Sequence, residues 1–221
     1  MVGASGGLGA ALVTQLQADP RVGRVHAFSR RSAVPLDLLN ERTIAAAAVT
    51  VEAPRLVIVA TGLLHGPGIG PEKRIAGIDA QSLTRSFQVN AVGPALVLKH
   101  FAPRLPRSGK AVLAVISARV GSIADNGLGG WYGYRASKAA LNQLMRTAAN
   151  ELAASRKDAI CVALHPGTVD TPLSKPFQKA VPDGGLFTPA EAAGHLLTVI
   201  DSLRPQDTGS FLAWDGRPIP F

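Results

Sequence analysis

The strongest constraint on this chain is an alternation. Short apolar runs with strand character recur between longer segments whose apolar positions repeat every three and four residues. The runs fall near Arg24 to Phe28, Arg55 to Thr61, Lys110 to Ile116, Ala159 to Leu164 and Ser210 to Trp214, with a shorter one near Val34 to Leu36. The helical segments cover about Gly9 to Ala18, Ser82 to Leu105, Tyr134 to Ser155 and Pro189 to Leu203. Such an order predicts an α/β fold, a doubly wound parallel sheet covered by helices on both faces. Thr188-Pro189-Ala190-Glu191 marks one helix start, with a capping threonine, a proline in the first turn and a glutamate three residues after the cap. The segment Pro172 to Phe187 has neither period and is expected to be a long loop over a ligand crevice. With 221 residues, 47% of them hydrophobic, the chain can bury one substantial core, so residues 1–221 are expected to form a single domain.

Charge narrows the partners. The excess of 23 Lys and Arg over 15 Asp and Glu gives +8, but the basic residues are scattered, with Arg30-Arg31, Lys73-Arg74 and Arg156-Lys157 as the adjacent pairs. That distribution speaks against nucleic acid and against a membrane surface. The single cysteine, Cys161, sits inside an apolar run, where it acts as a small hydrophobe. No basic-then-apolar leader and no apolar stretch near 18 residues is present, so a soluble protein of the cytoplasm is expected.

The chain opens on Gly3-Ala4-Ser5-Gly6-Gly7-Leu8-Gly9 and runs directly into a helical stretch. Glycines allow a tight turn and let amides at a helix N-terminus approach a pyrophosphate, making Gly3, Ser5, Gly7, Leu8 and Gly9 candidate cofactor contacts. Only Met1 and Val2 precede Gly3, so the strand that normally leads into such a turn is missing. Its absence should expose neighbouring strand edges and weaken the turn, unless the true start lies upstream or another segment fills the gap. After the second strand stands Ser29-Arg30-Arg31, where an NAD enzyme would place an acid on the ribose. Arginine there suits a 2′-phosphate, which favours NADP over NAD; Asp37 is a further candidate cofactor contact.

Tyr134-Arg135-Ala136-Ser137-Lys138 begins a helix, and a spacing of four puts phenol and ammonium on one face. The ammonium is expected to lower the tyrosine pKa towards the working range and make the hydroxyl a usable acid or base. Tyr132 has Ala136 as its fourth neighbour and so lacks such a partner. Glycine turn, Asn90 in a helix, serine at a strand end and tyrosine-lysine helix, in that order, resemble the short-chain dehydrogenase/reductase family, over nearly the whole chain. Ala60-Thr61-Gly62 stands where the family has its Asn-Ala-Gly turn, and Pro166-Gly167-Thr168-Val169-Asp170-Thr171 is similar to the segment that meets the nicotinamide amide. The stretches from Trp131 to Asn142 and from Trp214 to Pro220 look like the C-factor and carbonyl-reductase branch.

The resemblance implies a Rossmann-like fold, proton exchange between Tyr134 and the substrate oxygen, and a Lys138 that lowers the tyrosine pKa and bonds the nicotinamide ribose. It implies that Asn90 holds a water of the proton relay through a local helix distortion. It also implies cofactor contacts from Ala60, Thr61, Gly62, Asn90, Tyr134, Lys138, Pro166, Gly167, Val169 and Thr171. The family serine lies three residues before a glycine, where this chain has Ala118 before Gly121; Ser117 and Ser122 are the candidates in its place.

The five histidines, His26, His65, His100, His165 and His195, show no paired ligand spacing, so no metal is expected. Ser5 lacks a preceding strand to form a nucleophile elbow, which speaks against a serine hydrolase. The leading expectation is an NADP(H)-dependent enzyme interconverting a small-molecule carbonyl and alcohol. Its rivals are a nucleotide-binding regulator that has lost turnover, suggested by Ala118 and the missing strand, and an epimerase or dehydratase, for which little chain remains after Thr171. Resemblance further implies a homodimer or homotetramer packed through the two long helices.

Overall fold

Uninterrupted apolar runs become the buried sheet. The computed structural model describes residues 1–221, apart from the side chain of Ala180. Leu56–Val59 (β1), Ala111–Ile116 (β2), Ala159–His165 (β3) and, after the two-residue pair Thr168–Val169 (β4) and Leu186–Phe187 (β5), Phe211–Ala213 (β6) are its strands. The main sheet is parallel in the order β1-β2-β3-β6, and β4 pairs with β5 apart from it.

Alternate residues of each strand serve opposite faces. Leu113, Val115, Cys161 and Ala163 meet helices Glu41–Val49 (α2), Gly93–Phe101 (α4) and Tyr132–Ser155 (α5), after Gly7–Ala18 (α1) and Ala80–Phe87 (α3) in chain order. Val112, Ala114, Ile116, Ile160 and Val162 meet α1 and Pro189–Ser202 (α6) on the other face. This is the expected doubly wound arrangement. The capping box at Thr188 forms as the sequence requires, with Thr188 and Glu191 bonded reciprocally. Among the described residues, no helix is long and apolar enough to cross a membrane.

Four expectations are corrected. Arg24 to Phe28 and Val34 to Leu36 do not form ladders, because the strand that would pair with the first is reduced to one residue: Val2 makes single parallel bridges to Phe28 and to Val59. Ser82 to Leu105 is not one helix but α3, a π-helical turn over Gln88–Val92, α4 and a 3-10 turn over Ala102–Arg104. Helix α2, absent from the sequence reading, forms on an alanine-rich stretch capped by the Asn40 side chain, which accepts from the Arg42 amide at 3.2 Å. The loop from Pro172 to Phe187 holds a 3-10 turn over Lys175–Ala180 and ends in β5.

Val2 is stitched on both sides. Its N–H donates to the Ile58 carbonyl at 2.8 Å, its carbonyl accepts from Ala60 at 2.9 Å, and Met1 carbonyl accepts from Phe28 at 2.8 Å. Beside Met1 lies a slot of about 500 Å³ whose lining mixes Leu16, Val25, Val51, Val57 and Phe101 with Arg21, Arg24, His26, Glu52 and Arg55. Part of that lining is apolar, so placing a four-residue strand-forming segment such as Thr-Val-Ile-Val ahead of Met1 is expected to stabilise the fold. Burial of its apolar side chains, offset by ordering cost, should raise the melting temperature by roughly 5 °C in calorimetry. An unchanged melting temperature would show that the slot does not accept a strand.

Candidate active site

The first two turns of α5 carry Tyr134 and Lys138. Lys138 is among the largest fully buried side chains; its Nζ donates to the Ile116 carbonyl at 2.9 Å and stands 5.8 Å from the Tyr134 ring centroid. The helix can come this close to the end of β2 because residue 121 is glycine: a Cβ there would lie 2.7 Å from Lys138 Cβ and 2.9 Å from its backbone carbon. At the helix start, Trp131 takes a left-handed backbone (φ 58°), a conformation costing about 1–3 kcal/mol for a bulky residue. Glu72 holds it there, its carbonyl accepting from the Trp131 amide at 2.6 Å and its carboxylate from the Gly133 amide at 3.0 Å.

Burial dominates the electrostatics of this pair. It pushes the Tyr134 phenol up to about 12 and the Lys138 ammonium down to about 8. The expected lowering of the phenol by its lysine is therefore not met, because desolvation by burial dominates. At neutral pH both groups hold their protons.

Asn90 sits in the π-helical turn, the local distortion expected from the resemblance. Its Nδ2 donates to the Leu63 carbonyl at 2.8 Å and to Ser137 Oγ at 3.1 Å, while its Oδ1 accepts from the Leu63 amide at 2.7 Å. The asparagine thus clamps the backbone just after Ala60-Thr61-Gly62. A Cβ on Gly62 would lie 3.8 Å from Lys138 Nζ, 3.9 Å from Asn90 Oδ1 and 3.8 Å from Leu173 Cδ2, so these four residues converge.

The two candidate serines differ in what their hydroxyls do. Ser117 is buried and donates to Asn142 Oδ1 at 2.6 Å, which turns it towards the packing of α5. Ser122, also buried, accepts from the Asp125 amide at 3.0 Å, and this leaves its own proton available. Neither serine is hydrogen-bonded to Tyr134 among the described contacts.

The glycine turn closes tightly around itself. Gly3 has φ 87°, a Cβ on Gly9 would lie 2.1 Å from the Gly3 carbonyl oxygen, and one on Gly7 would lie 2.7 Å from Thr171 Cγ2. Substitution would therefore fill the space between turn and helix. The first-turn amides of α1 at Gly7, Leu8 and Gly9 have no intrahelical acceptor, and the α1 cap, Gly6, offers no side chain to them. Ser5 is exposed at the turn, and Thr61 Oγ1 is buried beside Gly3 without a hydrogen-bond partner. Donors at a helix N-terminus and an orphaned hydroxyl next to them fit a dinucleotide laid across the sheet end. Arg30 is exposed and makes no ion pair among the described residues. Asp37 Oδ1 accepts from the Leu39 amide at 3.0 Å, a local turn contact.

On the far side of the crevice, Pro166 and Val169 are buried and Gly167 has φ 76°, with Phe187 and Trp214 packed where its Cβ would be. Thr171 joins this segment to the glycine turn. The sequence reading missed Glu72, Leu173 and Phe177 as members of the site. No spacing links them to Tyr134; only the fold does.

A family model described as enoyl-(acyl carrier protein) reductase matches residues 5–216. The C-signal protein of Myxococcus xanthus is 35% identical over 147 residues, covering 66% of this chain and 83% of its own length. The 1-hydroxy-2-glutathionyl-2-methyl-3-butene dehydrogenase of Rhodococcus sp. strain AD45 is 31% identical over 182 residues, covering 82% and 76%. Among solved structures, the NADPH-bound carbonyl reductase from chicken fatty liver superposes with a TM-score of 0.84 at 26% identity, over 100% of this chain and 97% of its own. The carbonyl reductase Sniffer of D. melanogaster gives 0.81 at 26% identity, over 100% and 97%.

Burying a charged lysine generates a pH dependence of stability. Below pH 8 the folded chain must desolvate the Lys138 ammonium; between about 8 and 10.5 the unfolded state binds the proton more strongly, so stability from this group rises with pH. Lys138→Met is therefore expected to be more stable than the parent at pH 7, with the difference shrinking between pH 8 and 10.5. Urea unfolding across that range checks it, and a difference independent of pH would remove the desolvation account.

Proposed function

The chain belongs to the short-chain dehydrogenase/reductase family, and from that membership we propose that this oxidoreductase is an NADPH-dependent carbonyl reductase working through a Tyr134–Lys138 proton relay. The observation that carries the reading is the buried pair itself: a phenol at about 12 and an ammonium near 8, 5.8 Å from ring centroid to Nζ, at the end of the sheet where the glycine turn opens.

NADPH, when bound, supplies the hydride. Gly3, Ser5, Gly7, Leu8 and Gly9 would hold its pyrophosphate against the start of α1, Thr61 and Gly62 would line its path, and Arg30 would meet the 2′-phosphate. Asp37 is kept as a weaker contact, because its carboxylate already serves Leu39. Pro166, Gly167, Val169 and Thr171 would flank the nicotinamide end. Two relatives in structure that bear carbonyl-reductase names, one of them holding NADPH, support this assignment.

Tyr134 is the general acid. With its phenol protonated throughout the neutral range, it gives a proton to the substrate oxygen as that oxygen gains charge. Lys138 stands behind the ring, and its ammonium, charged below about pH 8, stabilises the phenolate that remains. Asn90 acts as a positioning residue, holding the Leu63 backbone and Ser137 beside the relay. Of the two serines, Ser122 is the better partner for the carbonyl oxygen, since its proton is available while that of Ser117 goes to Asn142. The whole chain would act as one nucleotide-binding domain in the cytoplasm. The half-exposed Val92 and Leu144, beside α3–α4 and on α5, support a homodimer or homotetramer packed through these helices.

Tyr134→Phe is expected to lower carbonyl-dependent NADPH oxidation by roughly 100-fold to 10,000-fold while NADPH binding, read by fluorescence quenching, stays nearly unchanged. Turnover at the parent rate would remove the relay, and NADPH binding by the parent without any turnover would return the regulator reading. Arg30→Ala is expected to weaken NADPH binding about tenfold and leave NADH binding unaffected, as measured by titration of each nucleotide. An equal effect on both would dissociate Arg30 from the 2′-phosphate.

A further inference from the structure

Three segments far apart in sequence bring aromatic rings to one place beside Tyr134. Trp131, at the start of α5, lies 6.2 Å from the Tyr134 ring and 4.9 Å from Phe177 between centroids. Phe177, on the 3-10 turn Lys175–Ala180, lies 5.7 Å from His65, which is itself tied through Nε2 to the Pro172 carbonyl at 3.0 Å. Leu173, from the same segment as Phe177, approaches Gly62 together with Lys138. All four of these side chains are half-buried, so they form a wall of the crevice and are not part of the core.

One jaw is fixed and the other rests on a loop. Trp131 is held by its left-handed backbone and by Glu72, whereas Phe177 belongs to a segment tied down by the bond from Gln178 to Asp170 at 2.9 Å and by His65. Polar groups on these segments are already engaged. The Glu72 carboxylate accepts from the Gly133 amide, the Arg135 guanidinium donates to the Gly130 carbonyl at 2.9 Å, and Lys175 pairs with Asp170 at 3.3 Å. A charged substrate would have to displace one of these contacts to gain a partner among the three.

We infer that Trp131 and Phe177 form an aromatic clamp beside Tyr134 that selects an uncharged carbonyl compound carried on a flat ring. The inference rests on the carbonyl-reductase reading for its reactive group and on the ring geometry for its selectivity. A flat ring taking the place of the tilted Trp131–Phe177 contact can stack on one of the two rings and meet the other edge-on, which a puckered saturated ring of equal size cannot match. A carboxylate in the same place would lose hydration and would have to draw Arg135 away from the backbone carbonyls it already holds.

The test compares acetophenone, cyclohexyl methyl ketone and 4-carboxyacetophenone as substrates with NADPH, and titrates each calorimetrically into the protein with and without NADP+. Acetophenone is expected to lead both others by about tenfold in kcat/KM and in affinity. Phe177→Leu, which keeps apolar bulk without the ring, should bring the phenyl-to-cyclohexyl ratio close to one, and a melting curve checks that the variant is folded. Should Phe177→Leu not fold, Trp131→Leu is read for the same ratio. Equal use or binding of the phenyl and cyclohexyl compounds would overturn the clamp while leaving the carbonyl reductase intact. Preferential binding of acetophenone with no turnover would leave the clamp standing and overturn the reductase. Binding of none of the three would overturn the clamp.

Discussion

Val2 is the residue on which the cofactor side of the fold depends. It bridges Phe28 on one side and Val59 on the other, and the glycine turn begins at the next residue. The amides of Gly3 and Ala4 both donate to the Phe28 carbonyl, at 2.9 and 3.0 Å, so the turn is aimed by the same stitch. A doubly wound sheet normally distributes this work over a full ladder. Here a few hydrogen bonds about Val2 align the start of α1 with the end of β1. The turn nevertheless keeps its shape because Gly3, Gly7 and Gly9 let three pieces of backbone approach within distances no side chain would permit.

What could be read from the sequence was local, and what could not was set by distant partners. β2 and β3 follow from their apolar runs, and the start of α6 from its capping residues, because each is decided within a few residues. Arg24 to Phe28 has equal strand character but forms no ladder, since its partner position holds Val2 alone. The π-helical turn at Gln88–Val92 leaves no mark in a periodicity of three and four. It coincides with Asn90, whose side chain is bonded to Leu63, 27 residues away. α2 was hidden because alanines give a weak apolar contrast. The pair Tyr134–Lys138 was legible from spacing, whereas the fate of Ser117 was settled by Asn142, 25 residues on, which no motif connects to it.

The proton-transfer end shows a contest between two effects on one phenol. The ammonium of Lys138 favours phenolate, and burial disfavours it; burial wins. Burial also acts on the lysine in the opposite sense, drawing its pKa down to about 8. With the phenol near 12 and the ammonium near 8, both groups are still predominantly protonated at neutral pH, the state needed by an acid that reduces a carbonyl. A bound nucleotide and substrate would add polar groups around both residues, and the balance between charge and desolvation would move with them.

Thr171 links the two ends. Its methyl group packs where a Cβ of Gly7 would be, at 2.7 Å, and its carbonyl accepts from Ser174, whose hydroxyl also reaches the Val169 carbonyl. Two residues later Leu173 enters the reactive crevice, and four beyond it Phe177 meets Trp131. A pyrophosphate seated on the glycine turn would therefore lie close to the root of the segment that carries Phe177. The opposite jaw, Trp131, is anchored through Glu72 and does not share that connection.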